Sequence, residues 1–348
     1  MMAYTSTLQA FVKLGSFISD FCENHNSSNN EDYQEFLDAT IRAEQQNSWF
    51  NQENVLFALE QWSILLTKEH LTNWLSHYSL DSSKETKTVG LVMAGNIPLV
   101  GFHDFLCVLL SGNKIMAKLS SNDTVLLPFL SKFLISQDPS LQDKIQFVEG
   151  KFEDFDAVIA TGSNNTSRYF EYYFGKKPNI IRKNRNSVAV LSGNESKEQL
   201  TALGEDIFRY YGLGCRNVSK IYVPKDYNFD EFFNGIFPFK DIIHQNKYAN
   251  NYDYNKAVYL MSEFKILDNG FLILKEDKSF SSPIASLFYE YYDTLSGLKK
   301  EIQENAEHIQ CIVSGGVLEE EINYGATQKP KLDDYADGVN TMNFLLQL

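Results

Sequence analysis

Four short stretches hold residues whose types could do chemistry. "YYGLGCRNVSK" sets Cys215 between Gly212 and Gly214, where the backbone lets a partner approach closely. A cysteine there is either an inert core residue or a thiolate nucleophile. "MAGNIP" puts Asn96 just after an apolar run and before Pro98. Its amide either caps a helix or donates to a developing oxyanion. "IMAKLSSND" closes an apolar run on Lys118, which snorkels to solvent or meets an anion such as a ribose or phosphate. "VIATGSNNTSRYF" opens a helix on Gly162 and Ser163, where free N–H groups and the helix dipole favour an anion.

The elements that must position these residues alternate. From Thr88, "TVGLVMAG", "NKIMAKLS", "KIQFVEG" and "FDAVIATGS" read as strands. "IPLVGFHDFLCVLLSG", "NDTVLLPFLSKFLIS" and "NNTSRYFEYYFG" read as the helices between and after them. Apolar strands in alternation with helices imply a parallel sheet covered on both faces. Ligands then sit at the carboxyl ends of strands, where Asn96, Lys118 and Gly162 fall. A second α/β unit starts near Asn186 with "NSVAVLSG", a helix over Lys197 to Tyr211, and "NVSKIYVP" after the cysteine. "GFLILK", "SPIASLFYEYY" and "EHIQCIVSGG" read as further strands. Residues 5–80 show helical spacing, with the polar stretch "ENHNSSNNED" as the first connection. The expected organisation is a helical segment over 1–87, a nucleotide-binding domain over 88–185, a catalytic domain over 186–325 and a tail over 326–348.

Composition narrows the function classes. With 348 residues and 43% hydrophobic content the chain can bury more than one core. A formal net charge of −14 argues against a nucleic-acid surface. Aromatics at 14% fit either an aromatic core or a pocket for a long apolar substrate. Cys22, Cys107, Cys215 and Cys311 show neither metal spacing nor a disulfide framework, so the expectation is a cytosolic chain without a metal. No run of roughly 18 apolar residues predicts a membrane span, and the first residues do not read as a signal peptide.

In their order along the chain, Asn96, Lys118, Gly162–Ser163 and Cys215 resemble the aldehyde dehydrogenase superfamily. Within it, "GLVMAGNIPLVGFHDFLCVLLSGNKIMAKLSSND", "YYGLGCRNVSKIYVP" and "QKPKLDDYADGVNTMNFLL" are similar to the LuxC-type fatty acyl-CoA reductases, from about Thr88 to Leu348. The resemblance implies an α/β, aldehyde dehydrogenase-like fold: a Rossmann-type nucleotide-binding domain, a catalytic domain and a helical N-terminal segment. It implies Cys215 as nucleophile and Asn96 as oxyanion donor, with Lys118, Ser121, Gly162 and Ser163 at the cofactor. The superfamily is usually dimeric or tetrameric, but this chain is shorter, so the resemblance leaves a homo-oligomer open rather than implying one.

Departures from the superfamily sharpen the expectation. Hydrolytic members activate water with a Glu upstream of the cysteine, yet Tyr172 to Asn194 holds no Asp or Glu. An acyl-cysteine would then wait for coenzyme A or hydride. NAD-preferring members carry a Glu where this chain has Ser121, so a 2′-phosphate meets no repulsion and NADPH is favoured or at least tolerated. At the position of the glutamate that holds the nicotinamide ribose, only Ser279 is found before Pro283. The same acid-free stretch holds Lys176, Lys177, Arg182, Lys183 and Arg185, which form either a solvated face or a site for coenzyme A or NADPH phosphates. His103 and His244 are weaker candidates to assist the thiol. The reading is an NADPH-dependent reductase of acyl-CoA, a long-chain one by its aromatic content. Its competitors are a glutamyl-phosphate-type acyl-phosphate reductase and a non-catalytic ligand-binding scaffold.

Overall fold

The computed structural model describes residues 2–24, 30–80, 84–318 and 321–348. The polar connection read at Glu23–Asp32 falls largely outside them, at 25–29. The chain divides into two compact units: Met1–Lys183 with Lys331–Leu348, and Asn184–Pro330.

In the first unit four helices lead: α1 (Met2–Asn24), α2 (Glu31–Gln46), α3 (Gln52–Leu65) and α4 (Lys68–Leu75). Side chains of Asn30, Asn51 and Thr67 accept backbone N–H groups at the starts of α2, α3 and α4, satisfying donors that a helix start leaves open. Then β1 (Thr88–Val92), α5 (Phe102–Leu110), β2 (Lys114–Lys118), α6 (Leu126–Gln137), β3 (Ile145–Phe147), β4 (Ala157–Thr161), α7 (Asn164–Phe174) and β5 (Asn179–Arg182) follow. Their strands form one parallel sheet in the order β3-β2-β1-β4-β5. The N-terminal helices share its core: Phe36 stacks on Phe129 of α6 at 4.5 Å and Phe17 on Phe133 at 4.6 Å. Much of the aromatic content is thus spent on packing.

The second unit comprises β6 (Asn186–Val190), α8 (Lys197–Phe208), β7 (Val218–Pro224), α9 (Phe229–Ile236), α10 (Asn246–Met261), β8 (Ile266–Asp268), β9 (Ile273–Glu276), β10 (Ser286–Tyr292), α11 (Leu295–Glu304) and β11 (Ile309–Val313). The sheet order is β11-β6-β7-β10-β9-β8, parallel except for the antiparallel edge strand β8. The sequence reading leaves α9, α10, β8 and α11 unassigned, as it does β5 in the first unit. The three residues of β8 are too few for a strand pattern, and the buried face of α10 is made of Tyr248, Tyr252, Asn255 and Tyr259 rather than aliphatic residues.

The last residues return to the first unit, where α12 (Thr341–Leu346) packs with α5. Tyr335 accepts from Trp74 Nε1 at 3.0 Å and shares a 2.6 Å hydrogen bond with Tyr78, while Met342 and Leu345 enter the core. Two helix readings need correction. The helix read from Ile97 starts only at Phe102, because Leu99 adopts a left-handed φ of 57° and Gly101 is the cap, so Pro98 is not a first-turn residue. The helix read to Tyr211 ends at Phe208, because Tyr210 and Tyr211 turn left-handed.

Candidate active site

In the first unit Lys118 pairs in register with Val92 of β1, and Val92 with Ala160 of β4. The carboxyl ends of β2, β1 and β4 therefore lie side by side. They bring the turns carrying Lys118 and Ser121, Asn96, and Gly162 and Ser163 to one sheet edge. Asn96 is exposed. Its turn rests on the next one, because a Cβ on Gly95 would come within 2.7 Å of Ser120. The carboxylate of Asp123 ties the two turns together by accepting the N–H of Leu99 at 3.2 Å. Burial pushes the Asp123 carboxyl up to about 6, held back by the N–H groups of Leu99 and Leu126, and its second oxygen is buried without a hydrogen-bond partner. Lys118 Nζ donates to the Gly150 carbonyl at 3.2 Å, Ser121 is exposed, and Ser163 caps α7 by accepting the N–H of Thr166.

The cation-rich stretch separates into different roles. Arg182, expected among phosphate-binding cations, is only 6% exposed. Its guanidinium forms a two-pronged pair with Asp104 of α5 and donates to Thr341 at 3.1 Å. A guanidinium this buried and paired to a carboxylate through both terminal nitrogens is spent on structure, although its Nε–H is left without a partner, so Arg182 is withdrawn as a phosphate ligand. Lys183 stays exposed beside Glu171, and Arg185, in the second unit, reaches the carbonyls of Ala306 and Ile309. Lys177 lies over the Phe155 ring. His103 is half-buried, donates to the Leu332 carbonyl and has its pKa lowered by desolvation, whereas His244 is exposed near Asp241.

Cys215 belongs to the second unit. Of the four cysteines it is the exposed one. Burial pushes the Cys22 thiol up to about 12 and the Cys107 thiol well above its ordinary value, and Cys311 is buried as well. The turn that presents Cys215 begins with three left-handed residues, Tyr210 (φ 54°), Tyr211 (φ 58°) and Gly212 (φ 77°). Only the glycine adopts this freely, and each tyrosine costs about 1–3 kcal/mol. The surroundings hold that strain. Asn217, 2% exposed, accepts the N–H of Gly214 at 2.8 Å through Oδ1. Its Nδ2 donates to the carbonyls of Asp206 at 3.0 Å and Arg209 at 2.8 Å, closing the end of α8 onto the turn. Ser187 Oγ donates to the Cys215 carbonyl at 3.0 Å, and Arg216 Nε donates to that of Thr327. The Asp206 carboxylate collects Gly325 N–H, Thr327 N–H and Thr327 Oγ–H. A cleft beside the turn is lined by Phe208, Tyr211, Gly212, Ser219, Tyr248 and Ser286 among others. From the sequence, Asn122 or Asp123 reads as a cap of the helix that follows, but α6 is entered at Val125 without a side-chain cap. Asn217 and Ser187 escaped the sequence reading, for "GCRN" places an amide two residues after the cysteine without showing that it is buried.

A family model described as acyl-CoA reductase (LuxC) matches residues 20–236, a span that contains Asn96, Lys118, Gly162 and Cys215. The chain belongs to the LuxC acyl-CoA reductase family. No curated protein matches the sequence of this LuxC-family chain. Solved structures do match its fold. Aldehyde dehydrogenase 21 from Physcomitrella patens, in complex with the reaction product succinate, is 13% identical with a TM-score of 0.63, covering 90% of this chain and 73% of that one. An aldehyde dehydrogenase from Bacillus cereus in its NAD+ complex is 12% identical with a TM-score of 0.62, covering 90% and 72%. A Mycobacterium tuberculosis aldehyde dehydrogenase complexed with NAD+ is 13% identical with a TM-score of 0.59, covering 88% and 73%. At such identities the likeness is one of fold, and the fold is aldehyde dehydrogenase-like. Among the described residues no helix is long and apolar enough to cross a membrane, and no group of three His, Cys, Asp or Glu side chains is placed to hold a metal ion.

Proposed function

We propose that this chain reduces acyl-CoA to aldehyde through an acyl-thioester on Cys215, with NADPH as reductant. The observation that carries the reading is the exposure of Cys215, alone among the four cysteines, on a turn held by buried hydrogen bonds. The Cys215 thiolate attacks the acyl carbonyl, a carbon–sulfur bond forms, and coenzyme A leaves as its thiolate. The Asn96 amide is assigned to the oxyanion, by the resemblance of its motif. NADPH would supply the hydride that adds to the thioester carbon. Collapse of that adduct breaks the carbon–sulfur bond, frees Cys215 and releases the aldehyde. The balance is acyl-CoA, NADPH and one proton in, aldehyde, coenzyme A and NADP+ out.

The residues at the edge of the first sheet fit a dinucleotide. Lys118 and Ser121 offer an ammonium and a hydroxyl to a ribose, and the capped start of α7 at Gly162–Ser163 suits a phosphate. The carboxyl group nearest to Ser121 in sequence, Asp123, is buried and turned to Leu99, which leaves room for the 2′-phosphate of NADPH. Two of the neighbouring folds were solved with NAD+, which supports a nicotinamide dinucleotide in general. The acid-free stretch supports reduction over hydrolysis: from Tyr172 to Asn194, through β5 and β6, no carboxylate is present to activate water. Lys183 and Arg185 remain as cations for a coenzyme A or dinucleotide phosphate, and a long acyl chain is the favoured substrate.

Intact mass after incubation with long-chain acyl-CoA, without cofactor, tests the reading. A gain equal to the acyl group is expected, absent in Cys215→Ala and discharged faster by NADPH than by NADH. No adduct with long- or short-chain acyl-CoA overturns it and directs the search to acyl phosphates.

A further inference from the structure

Cys215 has no regular element of its own to hold it: α8 ends at Phe208 and β7 begins at Val218. Between them the backbone runs through three left-handed residues. A backbone turn bond from the Asn217 N–H to the Gly214 carbonyl, 3.0 Å, spans the cysteine, and two buried side chains add direct bonds to the segment Gly214–Cys215. Asn217 uses both ends of its amide, accepting from Gly214 and donating to the two carbonyls at the end of α8. Ser187, fully buried on β6, donates to the carbonyl of Cys215 itself. The Asn217 side chain fixes the Leu213–Gly214 peptide, its own N–H fixes the Gly214 carbonyl of the peptide before the cysteine at 3.0 Å, and Ser187 fixes the peptide after it. Together they set the direction of the Cα–Cβ bond.

We infer that Asn217 and Ser187 are positioning residues for Cys215, aiming its sulfur along the line of attack on the acyl carbonyl without touching substrate. This rests on the reading of Cys215 as the acylated thiol. A neutral side chain that both donates and accepts at this reach is needed at 217. Aspartate has the shape and accepts from Gly214, but an ionised carboxylate has no hydrogen to give the carbonyls of Asp206 and Arg209.

The test separates aim from reactivity. A small alkylating reagent such as iodoacetamide approaches a thiolate from many directions, whereas acyl-CoA must meet it in one geometry. In Ser187→Ala and Asn217→Asp the second-order rate of acylation by a long-chain acyl-CoA should fall about 10- to 100-fold, since small misplacements cost that much. Alkylation of Cys215 by iodoacetamide should stay within about twofold of wild type. Equal losses in both reactions, or no loss in either, overturn the positioning role. If Asn217→Asp fails to fold, Ser187→Ala, which removes one hydroxyl, decides the question alone. Wild type that is alkylated but never acylated shows a different failure: the functional reading falls, and this inference with it.

Discussion

The turn that carries Cys215 and the turn that carries Asn96 both place non-glycine residues in left-handed backbone, Tyr210 and Tyr211 in one and Leu99 in the other. They are anchored by different chemistry. Asn217 beneath the cysteine is neutral, and both ends of its amide are engaged. Beneath the Asn96 turn the anchor is the carboxyl of Asp123, with one oxygen on Leu99 and the other buried without a partner. The helix that follows this turn, α5, leans on a second buried charge, the Asp104–Arg182 pair. A neutral, satisfied anchor holds its turn at any ordinary pH. A buried carboxyl with an unpartnered oxygen holds its turn at a cost that depends on its proton.

The largest expected effect is on the charged side. Asp104→Ala leaves the Arg182 guanidinium buried with Thr341 and should destabilise the protein by about 3–5 kcal/mol. The double variant Asp104→Leu, Arg182→Met should recover most of that loss, within about 1–2 kcal/mol of wild type. Urea titrations of the three proteins check this, and a double variant as unstable as the single one would show that the pair, not the stranded charge, matters.

Next is the pH dependence of Asp123. Its carboxyl is raised on folding from 3.8 to about 6. The stability it contributes is fully present below the unfolded pKa and is lost as pH rises through the folded one. Asp123→Asn removes that titration and keeps an acceptor for Leu99. Relative to wild type, the variant should gain up to about 3 kcal/mol between pH 4 and pH 7, because each tenfold change in acidity is worth about 1.4 kcal/mol. Denaturant midpoints across that range measure it; a difference that does not change with pH breaks the contrast between the two turns.

The smallest effect is on the neutral side. Asn217→Ala leaves the Gly214 N–H and two carbonyls to find new partners and should cost about 2 kcal/mol. That cost should be the same at pH 5 and pH 8. A cost that varies between them would mean that Asp206, whose carboxyl burial raises and whose bonds to Gly325 and Thr327 hold back, carries the turn instead.

Much of this was legible along the chain. Apolar strands alternating with helices announced the parallel sheets, and Ser163 announced the start of α7, because these signals are local: hydrophobic period and cap chemistry act within a few residues. Cys215 stood out for the glycines around it. The rest depended on partners distant in sequence. Arg182 reads like its cationic neighbours until Asp104, 78 residues away, is placed against it. Tyr210 and Tyr211 read as a continuing helix because left-handed backbone in tyrosine has no sequence signature; it is imposed by the surrounding contacts.

By itself, then, the sequence determined the fold class, and it singled out three strand ends and the cysteine that the fold leaves exposed. Those follow from periodicity, capping and residue type, which are properties of neighbours in the chain. Tertiary structure alone decided which polar groups are buried. It put Asp123 under Leu99, Asn217 under Gly214, Ser187 against the Cys215 carbonyl and the tail against Trp74 and Tyr78. Burial is what gives such groups their energetic weight, because a hydrogen bond or charge removed from water must be satisfied by whatever the fold brings to it.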